Sequence, residues 1–364
     1  MLASLTTGFP VTERGLPDFI RPSVRKAFVG TQNLVLTKSM DLERGERGQH
    51  CYFRKGEAFP FEMKGVLGRG GYGQVDKVLS LLSFKEYARK RVLGTIAFQG
   101  RKKEEIKQFI AKIEILKRLK HPHVVEFVGS YMNAKYIGLL MLLIADMDLT
   151  RYLKLGSVAN HSELRTFFGC LATALEFLHE HNIRHKDIKP GNILVNNGTV
   201  LFADFGLSFD FTDASGSTTM GVVNGMTPRY CAPEVAKQEA RNTMSDIWCL
   251  GVVFLEMITT LKGQPVQHID DFLKQHRSQN AIVRLNIDAL LDLIAHLCGL
   301  CHVSHNRAFE WIQQMPSEEQ KSRLIASSLV TLITAPIREG ENTGFCGICC
   351  VLPEEEDFSD YASE

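Results

Sequence analysis

The stretch Ile183-Arg184-His185-Lys186-Asp187-Ile188-Lys189-Pro190-Gly191-Asn192-Ile193-Leu194 decides how the rest of the chain is read. It sets a carboxylate, an ammonium and a carboxamide within six positions, between apolar anchors. Asp204 follows Asn192 by twelve residues, inside Ala203-Asp204-Phe205-Gly206. The pattern predicts a tight polar loop, then a short hairpin ending in a second carboxylate. Asp187 can accept a proton from a hydroxyl. Asn192 and Asp204 are oxygen donors of the kind Mg²⁺ prefers. Lys189 can sit over a migrating phosphoryl group. Together these groups point to phosphoryl transfer, in which a protein mainly positions groups and stabilises charge.

Upstream, Gly68-Arg69-Gly70-Gly71-Tyr72-Gly73-Gln74-Val75 fits Gly-x-Gly-x-x-Gly-x-Val. Glycines let a hairpin backbone approach phosphates without side-chain clash. A dinucleotide-binding loop would need a helix start after the glycines. Here Asp76-Lys77-Val78-Leu79-Ser80 continues as a strand instead. Glu86 to Val92 reads as another strand and carries Ala88 and Lys90; Arg89 and Arg91 make it a basic run. Phe109, Ile113, Leu116 and Leu119 form an amphipathic stripe over a helix from Lys103 to Leu119. Tyr136 to Ile144 is a continuous apolar strand. Asn160 to Glu180 is a helix with Leu164, Phe168, Leu171, Leu175 and Leu178 on one face, opened by an Asn160/Glu163 capping box.

In this order and spacing the motifs resemble the eukaryotic protein kinase superfamily, serine/threonine type. Residues 183–194 resemble its His-Arg-Asp-x-x-x-x-Asn loop, with Lys186 where the family has Arg, and Asp204-Phe205-Gly206 its magnesium motif. The resemblance covers about residues 59 to 335. It implies an α+β, bilobal fold, with a small antiparallel β-rich N-lobe (59–145) carrying one major helix and a larger, mainly α-helical C-lobe (146–335). ATP would bind between the lobes, with Mg²⁺.

The resemblance also assigns roles. Asp187 and Lys189 would be catalytic, and Asn192 and Asp204 would hold the metal. Gly68, Gly70, Gly73, Val75, Ala88, Lys90, Met141, Leu142, Ile144, Asp148 and Leu194 would contact the nucleotide. Lys90 would reach its phosphates, and Met141 would close the back of the adenine pocket. Asp148 would meet the ribose or a basic substrate side chain.

Thr227 would contact Asp187 and Lys189 ahead of Arg229-Tyr230-Cys231-Ala232-Pro233-Glu234. Asp246 would hold the loop backbone, and Arg323 would pair with Glu234. The family's helix Glu that pairs with the strand Lys falls on Lys112. Either the helix shifts register, another acid (Glu105 or Glu114) serves, or activity is weakened. The family's usual phosphosite falls on Val223, leaving Thr218 and Thr219 among the hydroxyls that include Ser215 and Ser217. A catalytically weak binding protein is the alternative reading, and a small-molecule phosphotransferase a further one.

Composition sets outer limits. The chain has 364 residues, 45% hydrophobic and 23% charged, with formal net charge +1. Near-neutral charge argues against a nucleic-acid partner. Nine cysteines without disulfide-framework spacing suit a reducing compartment. Met1 to Thr12 shows no secretory signal, and the longest apolar run, Tyr136 to Ala145, is too short to span a bilayer. The expected location is cytoplasmic or nuclear and the expected partner a protein substrate with a Ser or Thr acceptor, while any regulatory partner is unspecified.

Residues 1–58 read as a partly disordered extension, with a strand over Gly30 to Lys38. Residues 336–364 read as a disordered, cysteine-containing acidic tail. Cys346, Cys349 and Cys350 have no fourth ligand beside them, so the tail reads as reduced thiols, or a lipidation site, rather than a zinc site. This ending, with Leu261-Lys262-Gly263, resembles kinase-domain proteins of filamentous fungi.

Overall fold

The computed structural model describes residues 12–35, 42–43, 50–55, 57, 59–70, 73–93, 110, 113, 116–142, 144–204, 227–276, 278–336 and 344–350. The chain divides into two compact units. One is Met1–Lys120 with Glu126–Ile144, the other His121–Val125 with Ala145–Glu364.

The first unit is built on six strands: β1 (Cys51–Tyr52), β2 (Phe61–Gly70), β3 (Gly73–Ser80), β4 (Glu86–Leu93), β5 (Phe127–Met132) and β6 (Tyr136–Met141). Their order is β1-β5-β6-β4-β3-β2, and every pairing is antiparallel except β1 with β5. The glycine segment is the expected hairpin, with Gly68 opposite Val75 and Gly70 opposite Gly73. Gly73 has φ +152°, and a Cβ there would lie 1.9 Å from the Arg91 carbonyl oxygen, so only glycine fits.

Strand alternation resolves the basic run. Arg89 and Arg91 turn to the face of buried Asp76, at 2.9 and 2.6 Å, while Ala88 and Lys90 take the other face. Burial alone would raise the Asp76 carboxyl; hydrogen bonds from Arg91, Gln74 and Arg89 outweigh it and hold the carboxyl below its usual range.

Two expectations for the N-terminal segment are corrected. Residues Pro22–Val35 form a helix, α1, where a strand was expected over Gly30 to Lys38. Pro22 occupies its first turn, where a missing N–H costs nothing. A short alternating pattern cannot by itself separate strand from helix. The expected boundary at 58/59 also cuts through the sheet. Leu42, Cys51 and Phe53 share one buried cluster with Phe61, Val78, Tyr87, Val128, Tyr131 and Leu140. Glu43 accepts hydrogen bonds from the hydroxyls of Ser80, Ser83 and Tyr87.

The second unit carries a three-stranded antiparallel sheet, β7 (Met147–Asp148), β8 (Ile193–Asn196) and β9 (Thr199–Phe202). Its helices are α2 (Leu149–Leu155), α3 (His161–Glu180), α4 (Pro233–Ala236), α5 (Met244–Leu261), α6 (Gln267–Lys274), α7 (Ile287–Cys298), α8 (Phe309–Ile312) and α9 (Ala326–Thr334). The predicted stripe on α3 is buried, each large side chain worth about 1.5–3 kcal/mol. The predicted capping box does not form. Asn160 makes no side-chain cap bond, and Glu163 accepts instead from the Tyr152 hydroxyl at 2.8 Å.

α5 is long and apolar enough to cross a membrane by length and composition, although Asp246 and Glu256 interrupt its apolar run. Within this fold it is a buried core helix. Glu234 and Arg323 form the expected buried pair, two parallel bonds of 2.7 and 2.8 Å.

The tail expectation is corrected in part. Gly344 to Cys350 pack on α3. The Phe345 ring is 5.8 Å from Phe168 and 5.3 Å from Trp311, and the Gly169 N–H donates to the Phe345 carbonyl at 2.7 Å. A Cβ on Gly169 would lie 2.6 Å from the Cys346 sulfur, so the missing side chain makes the seat. Phe345 supplies the burial energy that composition alone did not reveal.

Several expectations lie outside the described residues. They concern Lys112, Glu105, Glu114 and Phe109 of the helix expected over 103–119; Gly71 and Tyr72; Phe205 and Gly206; Ser215, Ser217, Thr218, Thr219 and Val223; and the acidic run Glu354 to Asp357.

Candidate active site

The loop 183–192 is held at both ends by its own apolar residues and in the middle by one carboxylate. Ile183 and Ile188 are buried, and the buried His185 ring meets Phe202 at 5.1 Å. Asp246, in the first turn of α5, accepts the backbone N–H groups of His185 and Lys186, each at 2.9 Å, and contacts His179 Nε2 at 3.2 Å. Lys186 has φ +71°, a left-handed conformation that costs an L-residue about 1–2 kcal/mol. The two bonds to Asp246 hold it there. Burial would raise the Asp246 carboxyl, but the hydrogen bond and charge of His179, with the Lys186 N–H, hold it low.

Past Asp246's anchor the side chains converge on Asp187. Lys189 Nζ donates to Asp187 Oδ2 at 2.7 Å and to Thr227 Oγ1 at 3.2 Å. Asn192 Nδ2 donates to the same Oδ2 and to the Asp187 carbonyl, both at 2.8 Å. Both side-chain donors therefore meet one carboxylate oxygen. The β8–β9 hairpin sets Asn192 and Asp204 at one end. Ile193 is opposite Phe202, and the Ala203 N–H donates to the Asn192 carbonyl at 2.9 Å. Asp204, just beyond, has φ +62°.

Sequence reasoning missed the cluster beneath Thr227. Arg229 donates to Glu256 at 2.5 Å and also pairs with Asp270 of α6. The Tyr230 hydroxyl donates to Glu256 at 3.0 Å, and Arg284 donates to the Pro228 carbonyl at 2.6 Å. The one available signal was Glu256 itself, a carboxylate in the apolar run of α5. Buried charges of that kind are nearly always paired.

In the first unit, the register places Val75 opposite Lys90, Lys90 opposite Leu139, and Ala88 opposite Met141. Directly opposed residues share a face, so Val75, Ala88, Lys90 and Met141 line one side of the sheet. The Leu142 N–H donates to the Glu126 carbonyl at 3.1 Å. Ile144 follows, partly exposed. In the second unit Asp148 caps α2, accepting from the Arg151 N–H at 3.0 Å, and lies opposite Leu194. His121 packs rather than reacts, stacked on Phe177 at 4.9 Å.

A glycine hairpin beside a strand lysine, and a loop that gathers an acid, a lysine and an amide at the base of a metal-suited hairpin, are the marks of a phosphotransferase of the kinase class. The chain belongs to the protein kinase domain family, whose profile matches residues 61–332. It is 32% identical over 197 residues to the Arabidopsis thaliana mitogen-activated protein kinase kinase kinase ANP1, covering 53% of this chain and 29% of that one. It is 30% identical over 307 residues to the human serine/threonine-protein kinase ULK3, covering 78% of this chain and 61% of that one. The Drosophila melanogaster serine/threonine-protein kinase fused is 32% identical over 206 residues, 56% of this chain and 24% of its own. The chain thus spans less than two thirds of the length of each of these relatives.

Proposed function

We propose that the protein is an ATP-dependent serine/threonine protein kinase acting inside the cell, in cytoplasm or nucleus. The observation that carries this reading is the convergence of Lys189 and Asn192 on a single oxygen of Asp187. It leaves Oδ1 to accept the proton of a Ser or Thr hydroxyl as that oxygen attacks the γ-phosphate. Lys189 bridges the carboxylate and Thr227, so its ammonium can lower the charge on the moving phosphoryl group without leaving the site.

The metal-site residues suit Mg²⁺ by donor chemistry. Asn192 uses its NH₂ on Asp187, so its carbonyl oxygen is the atom left for a hard cation, and Asp204 adds a carboxylate. When bound, Mg²⁺ would offset phosphate charge. Gly68, Gly70 and Gly73 let the hairpin backbone approach phosphates, and Lys90 shares its sheet face with Val75, Ala88 and Met141. With its N–H engaged, Leu142 would offer adenine its carbonyl, and the backbone of Ile144 would complete the contact. Leu194 would pack on the base and Asp148 would meet the ribose. The anchored segment from Thr227 to Glu234 would receive the protein substrate.

Phosphate transfer from labelled ATP to a generic protein substrate tests this. Asp187→Asn should lower turnover by about 10²–10⁴-fold, the usual worth of a positioned base. Lys90→Met should weaken nucleotide binding in a thermal-shift titration. Wild-type turnover in Asp187→Asn would refute the assignment. Nucleotide binding by the wild type with no transfer would favour the binding-protein alternative.

A further inference from the structure

The docked tail brings together side chains that the active site does not use. His123 Nε2 lies 3.1 Å from Cys350 Sγ and 3.2 Å from Cys349 Sγ. Cys170 Sγ, in the middle of α3, lies 3.8 Å from each of those sulfurs. All four donor atoms fall within 4.8 Å of one another. His123 and Cys170 are buried, and Cys346 packs beside Cys350 as a further thiol at the rim. All nine cysteines are free thiols.

The imidazole is oriented for ligation. Its Nδ1 lies 2.7 Å from the Val200 carbonyl on β9, which can only accept. Nδ1 therefore carries the proton, and Nε2 turns its lone pair to the sulfurs. A metal-binding histidine is held in this way, with its second nitrogen donating to a backbone carbonyl. The spacing also fits. Bonds of about 2.3 Å to sulfur and about 2.0–2.1 Å to nitrogen put tetrahedral sulfurs about 3.8 Å apart, and nitrogen and sulfur about 3.6 Å apart. The Cys170 distances match, and the histidine has only to withdraw by about half an ångström.

We propose that His123, Cys170, Cys349 and Cys350 form a closed zinc site that pins the C-terminal segment to α3. Three thiolates and one imidazole are soft donors that select zinc over Mg²⁺ or Ca²⁺. Binding releases three thiol protons to solvent and leaves the site with one net negative charge. Four protein ligands leave no open position, so the ion is structural. Through His123 and Val200 the site also braces β9, the strand that runs to Asp204. The ligand absent beside the tail cysteines is supplied by residues 179 and 226 positions away.

The test uses the full chain purified under reducing conditions, with zinc measured by elemental analysis. About one zinc per chain is expected. The Cys349→Ser/Cys350→Ser double variant should lose it, and the control Cys301→Ser, at an exposed thiol away from the cluster, should keep it. Cobalt should give the wild type the intense visible bands of a tetrahedral thiolate site, bleached by zinc, and this needs no variant. Chelation should lower the wild-type melting midpoint toward that of the double variant and leave the double variant unchanged. A wild type that takes up neither zinc nor cobalt would overturn the proposal. So would full zinc retention in the double variant, or a Cys170–Cys349 or Cys170–Cys350 disulfide in the reduced preparation.

Discussion

Replacing Asp246 with Asn is the sharpest probe of how the loop is held. The residue is 1% exposed, and its two side-chain oxygens accept two backbone N–H groups at 2.9 Å each. Asparagine keeps one carbonyl oxygen and turns an NH₂ toward the other donor. One charge-assisted bond worth about 1.5–3 kcal/mol disappears, and its surviving partner falls to the neutral range of about 0.5–1.5 kcal/mol. The expected loss is about 3 kcal/mol, against the left-handed strain of about 1–2 kcal/mol that the carboxylate holds at Lys186.

The strain is then no longer outweighed, so Lys186 relaxes and Asp187 swings with it. Urea unfolding should report the stability loss, and turnover should fall while the proposed nucleotide binding is kept. The pH dependence gives a second readout. The folded carboxyl lies below its unfolded value, so its contribution is full above about pH 4 and is lost as pH falls through the folded value. The Asn variant should lack that acid limb. A stability change under about 0.5 kcal/mol with wild-type turnover would refute the reasoning.

Three further outcomes follow from the same geometry. Arg323→Met strands Glu234 in the core and should cost about 3–5 kcal/mol in urea unfolding, whereas replacing both partners with apolar residues should recover much of it. Phe345→Ala should cost about 3–5 kcal/mol and release the tail to limited proteolysis; an unchanged melting curve would mean that the docking is not energetic. Burial lowers His50 and His305 to about 4, so both fold neutral. Stability should therefore fall as pH drops from about 6.5 to about 4, and His50→Gln should flatten that slope in pH-dependent urea titrations.

The polar loop, the glycine hairpin and the strand lysine were legible from sequence because each rests on local spacing. Asp187, Lys189 and Asn192 belong to one turn, and Gly70 and Gly73 close one hairpin. Likewise, Ala88 and Lys90 share a face because strand alternation has period two. Asp246 and Arg323 were legible through the family pattern, since local sequence gives no reason for a carboxylate in α5 to seek a backbone dozens of residues away.

What local sequence could not decide was which of several possible partners each group meets. Gly30–Lys38 read as a strand where Pro22–Val35 is a helix, and Glu163, expected to cap its own helix, bonds Tyr152 instead. The tail cysteines looked ligand-poor until the fold carried His123 and Cys170 to them. Only tertiary structure chose, because burial, the missing side chain of Gly169 and the shape around Phe345 act between residues that are distant in the chain.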